Sequence, residues 1–253
     1  MRRGCGENCL LLKSLLQQVI KRMNMEILLD NPETDRLFQE LLVRIRRLKN
    51  GETVEQMRTM GVKYAVNWGA SIISLRELAR RYDKNHLLAL KLWNKQWRET
   101  MILATLLDKP EALSEGQMDY WTRSLDTAEI AEQAVANLFV SSKFAFAKAL
   151  EYCCGKKHWV RYTGVLLTGR LAMVDKTAID EMFEGFFEVL PPLMKDPSLH
   201  TVLYRSMVIL ANRNENLRRQ CVGFLEAILT LEDERQNRLA SALLDEFRTD
   251  AGE

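Results

Sequence analysis

Residues 67–139 read NWGASIISLRELARRYDKNHLLALKLWNKQWRETMILATLLDKPEALSEGQMDYWTRSLDTAEIAEQAVANLF. The stretch is a run of short amphipathic helices with almost no strand-like alternation. Ser71 stands where a helix cap belongs, before a helix over Ile72–Tyr82, and Asp83 opens the next, over Lys84–Asn94. Leu87, Leu88, Leu90, Leu92 and Trp93 cover more than one face of that helix, as in a helix buried between neighbours. A helix over Trp97–Leu107 ends at Asp108 and Pro110. Ser114 with Gln117 then has the Ser-x-x-Gln form of a capping box, opening a helix to Arg123. Asp126 or Thr127 caps a further helix whose Ile130, Ala131, Ala134, Val135 and Leu138 form one apolar stripe.

Working outward, helical spacing extends over residues 10–29 and from Asp35 to Leu48, with Asn31 and Pro32 at the break. Arg44, Arg46, Arg47 and Lys49 crowd the end of the second helix, where cations complement the helix dipole, and Gly51 follows as a stop. A short helix over Thr53–Met60 and a loop from Gly61 to Gly69 lead into the opening stretch. Downstream, helices are expected over Ser141–Cys153, Trp159–Met173, Thr177–Leu190, Pro197–Ala211, Glu215–Leu231 and Asp233–Phe247, with Pro191 and Pro192 among the separators. Helix pairs returning at roughly 35 to 40 residues without a tight consensus fit an all-α, HEAT-like helical repeat solenoid. Residues 1–9 read as a disordered end and 10–253 as a single domain.

Composition narrows function without naming it. With 253 residues and 47% hydrophobic content the chain has enough apolar surface for an ordinary core. Thirty-six Lys and Arg against 34 Asp and Glu leave a formal charge of +2, which demands no polyanionic partner but leaves room for a basic face. Cys5, Cys9, Cys153, Cys154 and Cys221 are odd in number and lack disulfide-like spacing; adjacent Cys153 and Cys154 point in different directions on a helix. A reducing, intracellular, cytoplasmic setting is expected. No apolar run reaches the roughly 20 residues of a membrane span. His86, His158 and His200 each stand apart from other ligand-type residues, so no metal and no cofactor are expected, and there is no Gly-rich phosphate loop or nucleophile elbow.

NWGASIISLRELAR, HLLALKLWNKQWRETMILATLLDKPEALSEGQMDYW, SLDTAEIAEQAVANLF and FAFAKALEY, with HWVRYTGVLLTGRLA and NRNENLRRQCVGFL more weakly, resemble the DNA alkylation repair family, the HEAT-like-repeat DNA glycosylases. The likeness covers residues 60–230 and rests on the order of features: Glu99 before an apolar run, Asp108 before Pro110, Gln117 before Trp121, and Asn137 to Phe139. It implies hydrolysis of the N-glycosidic bond of alkylated purines in double-stranded DNA, by a monomer on the concave face of the solenoid, near the nucleoid. A cationic purine is already a labile leaving group. Such an enzyme needs chiefly a carboxylate beside the sugar and aromatic surface for a cation.

The same resemblance places Glu132 at the catalytic aspartate position, one methylene longer, and Ala128 where an aromatic usually stands one turn earlier. Gly223 falls at the second aromatic position and Glu226 at the arginine after it. Arg161 keeps one arginine of the family pattern, and Tyr162 replaces the other. Arg98, Lys156, Lys157, Arg161, Tyr162, Arg218 and Arg219 are the expected DNA contacts. Each residue has a plainer account beside this one. Glu132 is then a solvated helix glutamate paired to a basic neighbour, Gly223 permits close helix packing rather than enlarging a cleft, and Trp93, Trp97 and Trp121 are core. The alternatives to a glycosylase are a DNA-binding protein without turnover and a protein-interaction scaffold.

Overall fold

The computed structural model describes residues 31–249, all of whose regular elements are helical. The helix expected over residues 10–29 and the loose end at 1–9 lie outside the described residues. Contacts gather the chain into two compact units, Met1–Asp108 and Lys109–Glu253, within what the sequence reads as one domain. Counted over the sequence, the first has 19 Lys and Arg against 12 Asp and Glu, and the second 17 against 22. The units are therefore formally +7 and −5.

In the first unit α1 (Pro32–Arg47) begins three residues earlier than its apolar spacing suggests. Pro32 occupies the first helical position, where no N–H is required, and the Asn31 side chain accepts from the Thr34 amide at 3.0 Å. Gly51 opens a helix rather than closing one: Asn50 caps α2 (Gly51–Thr59) by accepting from the Thr53 amide at 3.1 Å. Then come α3 (Ile72–Ala79), capped by Ser71 as expected, α4 (His86–Asn94) and α5 (Arg98–Leu107). Helix α4 packs on α5 and α1, and α3 packs on α5. Leu88, Leu92, Trp93, Ile102 and Leu103 are fully buried there.

The loop before α3 is fixed by charge. Glu99 is fully buried, and its Oε1 accepts from the amides of Trp68 at 3.0 Å and Ala70 at 3.3 Å and from Arg98 Nη1 at 3.1 Å. Arg98 Nη1 also donates to the Ala70 carbonyl at 2.8 Å. Gly69 lies in this tethered loop with φ of +73°, and a Cβ there would run into the Asn50 carbonyl. Trp97 is half-buried beside Trp68, ring centroids 5.8 Å apart, rather than in the core with Trp93 and Trp121.

The second unit holds α6 (Glu115–Arg123), α7 (Ala128–Asn137), a 3-10 turn (Phe139–Ser141), α8 (Ala145–Cys153), α9 (His158–Val174), α10 (Glu181–Met194), a 3-10 turn (Pro197–Leu199), α11 (His200–Ala211), α12 (Glu215–Leu229) and α13 (Glu234–Thr249). Ser114 caps α6 by accepting from the Gln117 amide at 3.1 Å. Helix α9 is the hub, packed on α6, α7, α8, α10 and α11. Its approach to α8 depends on Gly164, where a Cβ would sit 2.5 Å from the Cys153 amide nitrogen. Pro191 and Pro192 do not separate helices but lie near the end of α10, where their missing N–H groups deprive only the carbonyls of Phe187 and Glu188 of intrahelical donors; the Pro191 carbonyl accepts from Gln236.

Lys148 is almost fully buried among three carboxylates, Glu115 and Asp119 at 2.9 Å and Glu151 at 2.7 Å. Burial works to lower its pKa, but the hydrogen bonds from Glu151, Asp119 and Glu115 outweigh it and raise the value. Cys153 and Cys221 are buried and Cys154 is exposed, matching the divergent directions read for the adjacent pair. Among the described residues no helix is long and apolar enough to cross a membrane.

Candidate functional site

Helix α7 projects Glu132 toward α9 and α11. Thr127, not Asp126, stands at the N-cap of α7. Ile130, Ala131, Ala134 and Val135 bury one side of the helix, which turns Glu132 and, a turn later, Ala136 outward into a cleft of about 330 Å³. Leu166, Arg170 and Met173 of α9 and Val202, Arg205 and Ile209 of α11 supply the facing walls. The cleft is thus apolar in its sides and charged at three points.

Those three charges are Glu132, Arg170 and Arg205. Arg205 Nη1 lies 3.4 Å from Glu132 Oε1, with the arginine side chain 67% and the glutamate side chain 42% exposed. An exposed pair of this kind contributes about 0–1 kcal/mol and exchanges readily. Tyr162 of α9 faces the same carboxylate. Burial first, then the negative charge of Glu132, pushes its pKa up to about 12, with Arg205 opposing. Trp159 stands beside Tyr162, centroids 5.3 Å apart, and His158 beside Trp159 at 4.6 Å. The start of α9 therefore brings the Tyr162 ring, with Trp159 against it, to Glu132, although Ala128 offers none.

The other expected DNA contacts are spread over the molecule. Lys156 and Lys157 are exposed and line a shallow hollow of about 250 Å³ with Arg123 and Val160. Arg161 is half-buried and ion-paired to Asp196 at 2.9 Å. Asp196 is held below the usual carboxylate range by the Ser198 hydroxyl first, with a smaller share from Arg161. Arg218 donates to the Phe247 carbonyl at 3.2 Å and lies over that ring, while Arg219 is exposed. Arg98 departs from its expected role. Only 1% exposed, it spends its guanidinium on Ala70 and Glu99 and does not present it to a phosphate.

Gly223 neither packs nor lines the cleft: a Cβ would meet nothing within 4 Å, and the residue sits exposed on α12. Arg170 and Arg205 carry no sequence signal of their own. Arg205 is 73 residues from Glu132, and only the packing of α7 and α11 against α9 brings the two together.

The sequence profile described as DNA alkylation repair enzyme matches residues 41–198. No curated protein matches the chain. A solved structure described as a new family of proteins related to the HEAT-like repeat DNA glycosylases with affinity for branched DNA structures is similar at a TM-score of 0.67 and 14% identity, covering 75% of this chain and 82% of the other. The shared fold is an all-α HEAT-like helical repeat.

Proposed function

The chain belongs to the DNA alkylation repair enzyme family, and from that premise we propose that it binds duplex DNA, branched duplexes included, without excising bases. The observation that carries this reading is the presence of two guanidinium groups, Arg170 and Arg205, in the cleft of Glu132. A purine made cationic by alkylation is repelled by them, whereas a phosphate oxygen is attracted and accepts their forked N–H groups. Because the Arg205–Glu132 pair is exposed and weak, Arg205 exchanges the carboxylate for a phosphate at little cost. The affinity of the similar branched-DNA proteins points to the same kind of ligand.

A second reading, hydrolysis of an alkylated purine with Glu132 as the charge-stabilising carboxylate, is favoured by one observation. Tyr162 stands beside that residue and Trp159 extends its aromatic surface. On this reading that surface replaces the one missing at Ala128, and no metal or cofactor takes part. Fluorescence anisotropy with a four-way junction, a fork and a linear duplex across a salt series, run beside a base-release assay on methylated duplex, separates the readings. Salt-sensitive binding, tighter to the branched forms, with no released base is expected. Free base released by the wild type and not by Glu132→Gln overturns the non-excising reading in favour of the second. Absence of binding to any DNA at low salt leaves the fold as a protein-interaction scaffold.

A further inference from the structure

We propose that the basic N-terminal unit carries a phosphate grip of its own, at a hollow of about 270 Å³ between α1 and α3, lined by Arg44, Arg47, Ser74, Glu77 and Arg81. The proposal rests on the DNA-binding reading above and says which residues hold the backbone. Three guanidinium groups converge on one hollow, and they differ in what holds them. Arg44 is positioned: Glu40 Oε1 accepts from its Nε at 2.8 Å and lies 2.7 Å from its Nη2, and the Tyr82 hydroxyl donates to the same oxygen at 2.8 Å. Glu40 is held below the usual carboxylate range by the Tyr82 hydrogen bond first and by Arg44 second.

Arg47 and Arg81, by contrast, are exposed and have no hydrogen bond or ion pair among the described residues. Glu77 lines the same hollow one helical turn before Arg81, yet no ion pair joins it to either arginine. The Ser74 hydroxyl oxygen accepts from Ser71 Oγ at 2.9 Å, which leaves its own hydrogen to donate.

The helix dipoles favour arginines at the end of α1 and at the end of α3 separately, but do not require the two ends to face one hollow. Three guanidinium groups outnumber the two nearby carboxylates, Glu77 in the hollow and Glu40 already paired to Arg44, and this excess favours a bridging anion; a phosphodiester offers the two acceptor oxygens that forked guanidinium groups and a hydroxyl engage. The formal +7 of this unit against −5 in the rest of the chain makes it the more attractive side for a polyanion. In the other unit Arg161 and Arg218 are already engaged, the first by Asp196 and the second by the Phe247 carbonyl.

The test measures affinity for a junction and a linear duplex against salt concentration, using the full chain and two variants. Arg47→Gln with Arg81→Gln is expected to weaken binding on the order of tenfold at low salt and to make the slope of log K against log salt shallower by about two. Glu77→Gln is expected to tighten binding severalfold, an outcome that mere destabilisation would not produce. If the wild type binds DNA while both variants keep its affinity and its slope, this grip is overturned and the DNA-binding reading stands. If the wild type binds no DNA, both fall together.

Discussion

Through Asp108 the chain is basic and held together at its loop by a buried ion pair; from Lys109 on it is acidic and held together by close helix approach. The first unit encloses Arg98 and Glu99, which tie the 68–70 loop to α5 through amides and a carbonyl. The second encloses Gly164 at the crossing of α8 and α9, and places its charges around Lys148 and along the Glu132 cleft. The contrast separates two jobs that a DNA-binding fold has to perform. Attraction of a polyanion belongs to whichever unit carries the excess of cations, whereas discrimination belongs to a cleft with few, well-placed charges. On the proposed DNA-binding reading, the two properties lie in different units.

The sharpest way to break this contrast is to remove the tether. Glu99→Ala leaves Arg98 buried without its partner and two loop amides unpaired, and a loss of about 3–5 kcal/mol in urea unfolding is expected. A loss below 1 kcal/mol would show that ion pairing does not organise the first unit. Gly164→Ala strikes the corresponding point of the second: the methyl meets backbone atoms of α8, and about 1–3 kcal/mol is expected to go as the helices part. Wild-type stability for that variant would mean that the crossing is looser than the geometry indicates.

Alkaline pH sharpens the contrast next. In the second unit burial pushes the thiols of Cys153 and Cys221 up to about 12, and burial with the Glu132 charge does the same for Tyr162; in the first, Tyr82 reaches about 12 through burial and then Glu40. Each of these groups binds its proton more tightly when folded. Their stabilisation is therefore complete below the unfolded-state values, 9.0 for the thiols and 10.0 for the phenols, and is lost as pH rises toward 12. Urea midpoints should begin to fall near pH 9, with the greater share in the second unit; a flat profile up to pH 11 would refute this. The smallest effect is a gain. Gly223→Ala adds a methyl in open space on an exposed helix face and should raise stability by up to about 1 kcal/mol in the same assay, with no change in DNA affinity.

How far these features are legible in the sequence follows from the range over which each is determined. Caps are local: Ser71 and Ser114 sit where their spacing to the next apolar run puts them, and both accept the expected amide. Trp93 and Trp121 are legible as core because apolar neighbours surround them at helical spacing. Gly51 and the Pro191–Pro192 pair mislead: a glycine at the first helical position costs little, and two prolines near the end of a helix forfeit only two of its hydrogen bonds. Arg98 misleads because a charged residue in a first helical turn ordinarily faces solvent; nothing in the chain announces that a loop 28 residues earlier will close over it.

Glu132 is singled out by resemblance alone, while its ion-pair partner Arg205 depends on three-helix packing and has no local mark. The opposite charges of the two units are present in the sequence throughout. A total of +2 conceals them until the boundary at Asp108 is known.

The burial of Cys153 and Cys221 has a chemical corollary. Sulfur reacts with alkylating electrophiles as its anion. By keeping both thiols protonated and out of reach, the packing of α8 and α12 withdraws them from that chemistry. Among the described residues, Cys154, one residue from Cys153 and open to solvent, is the thiol that such a reagent reaches first.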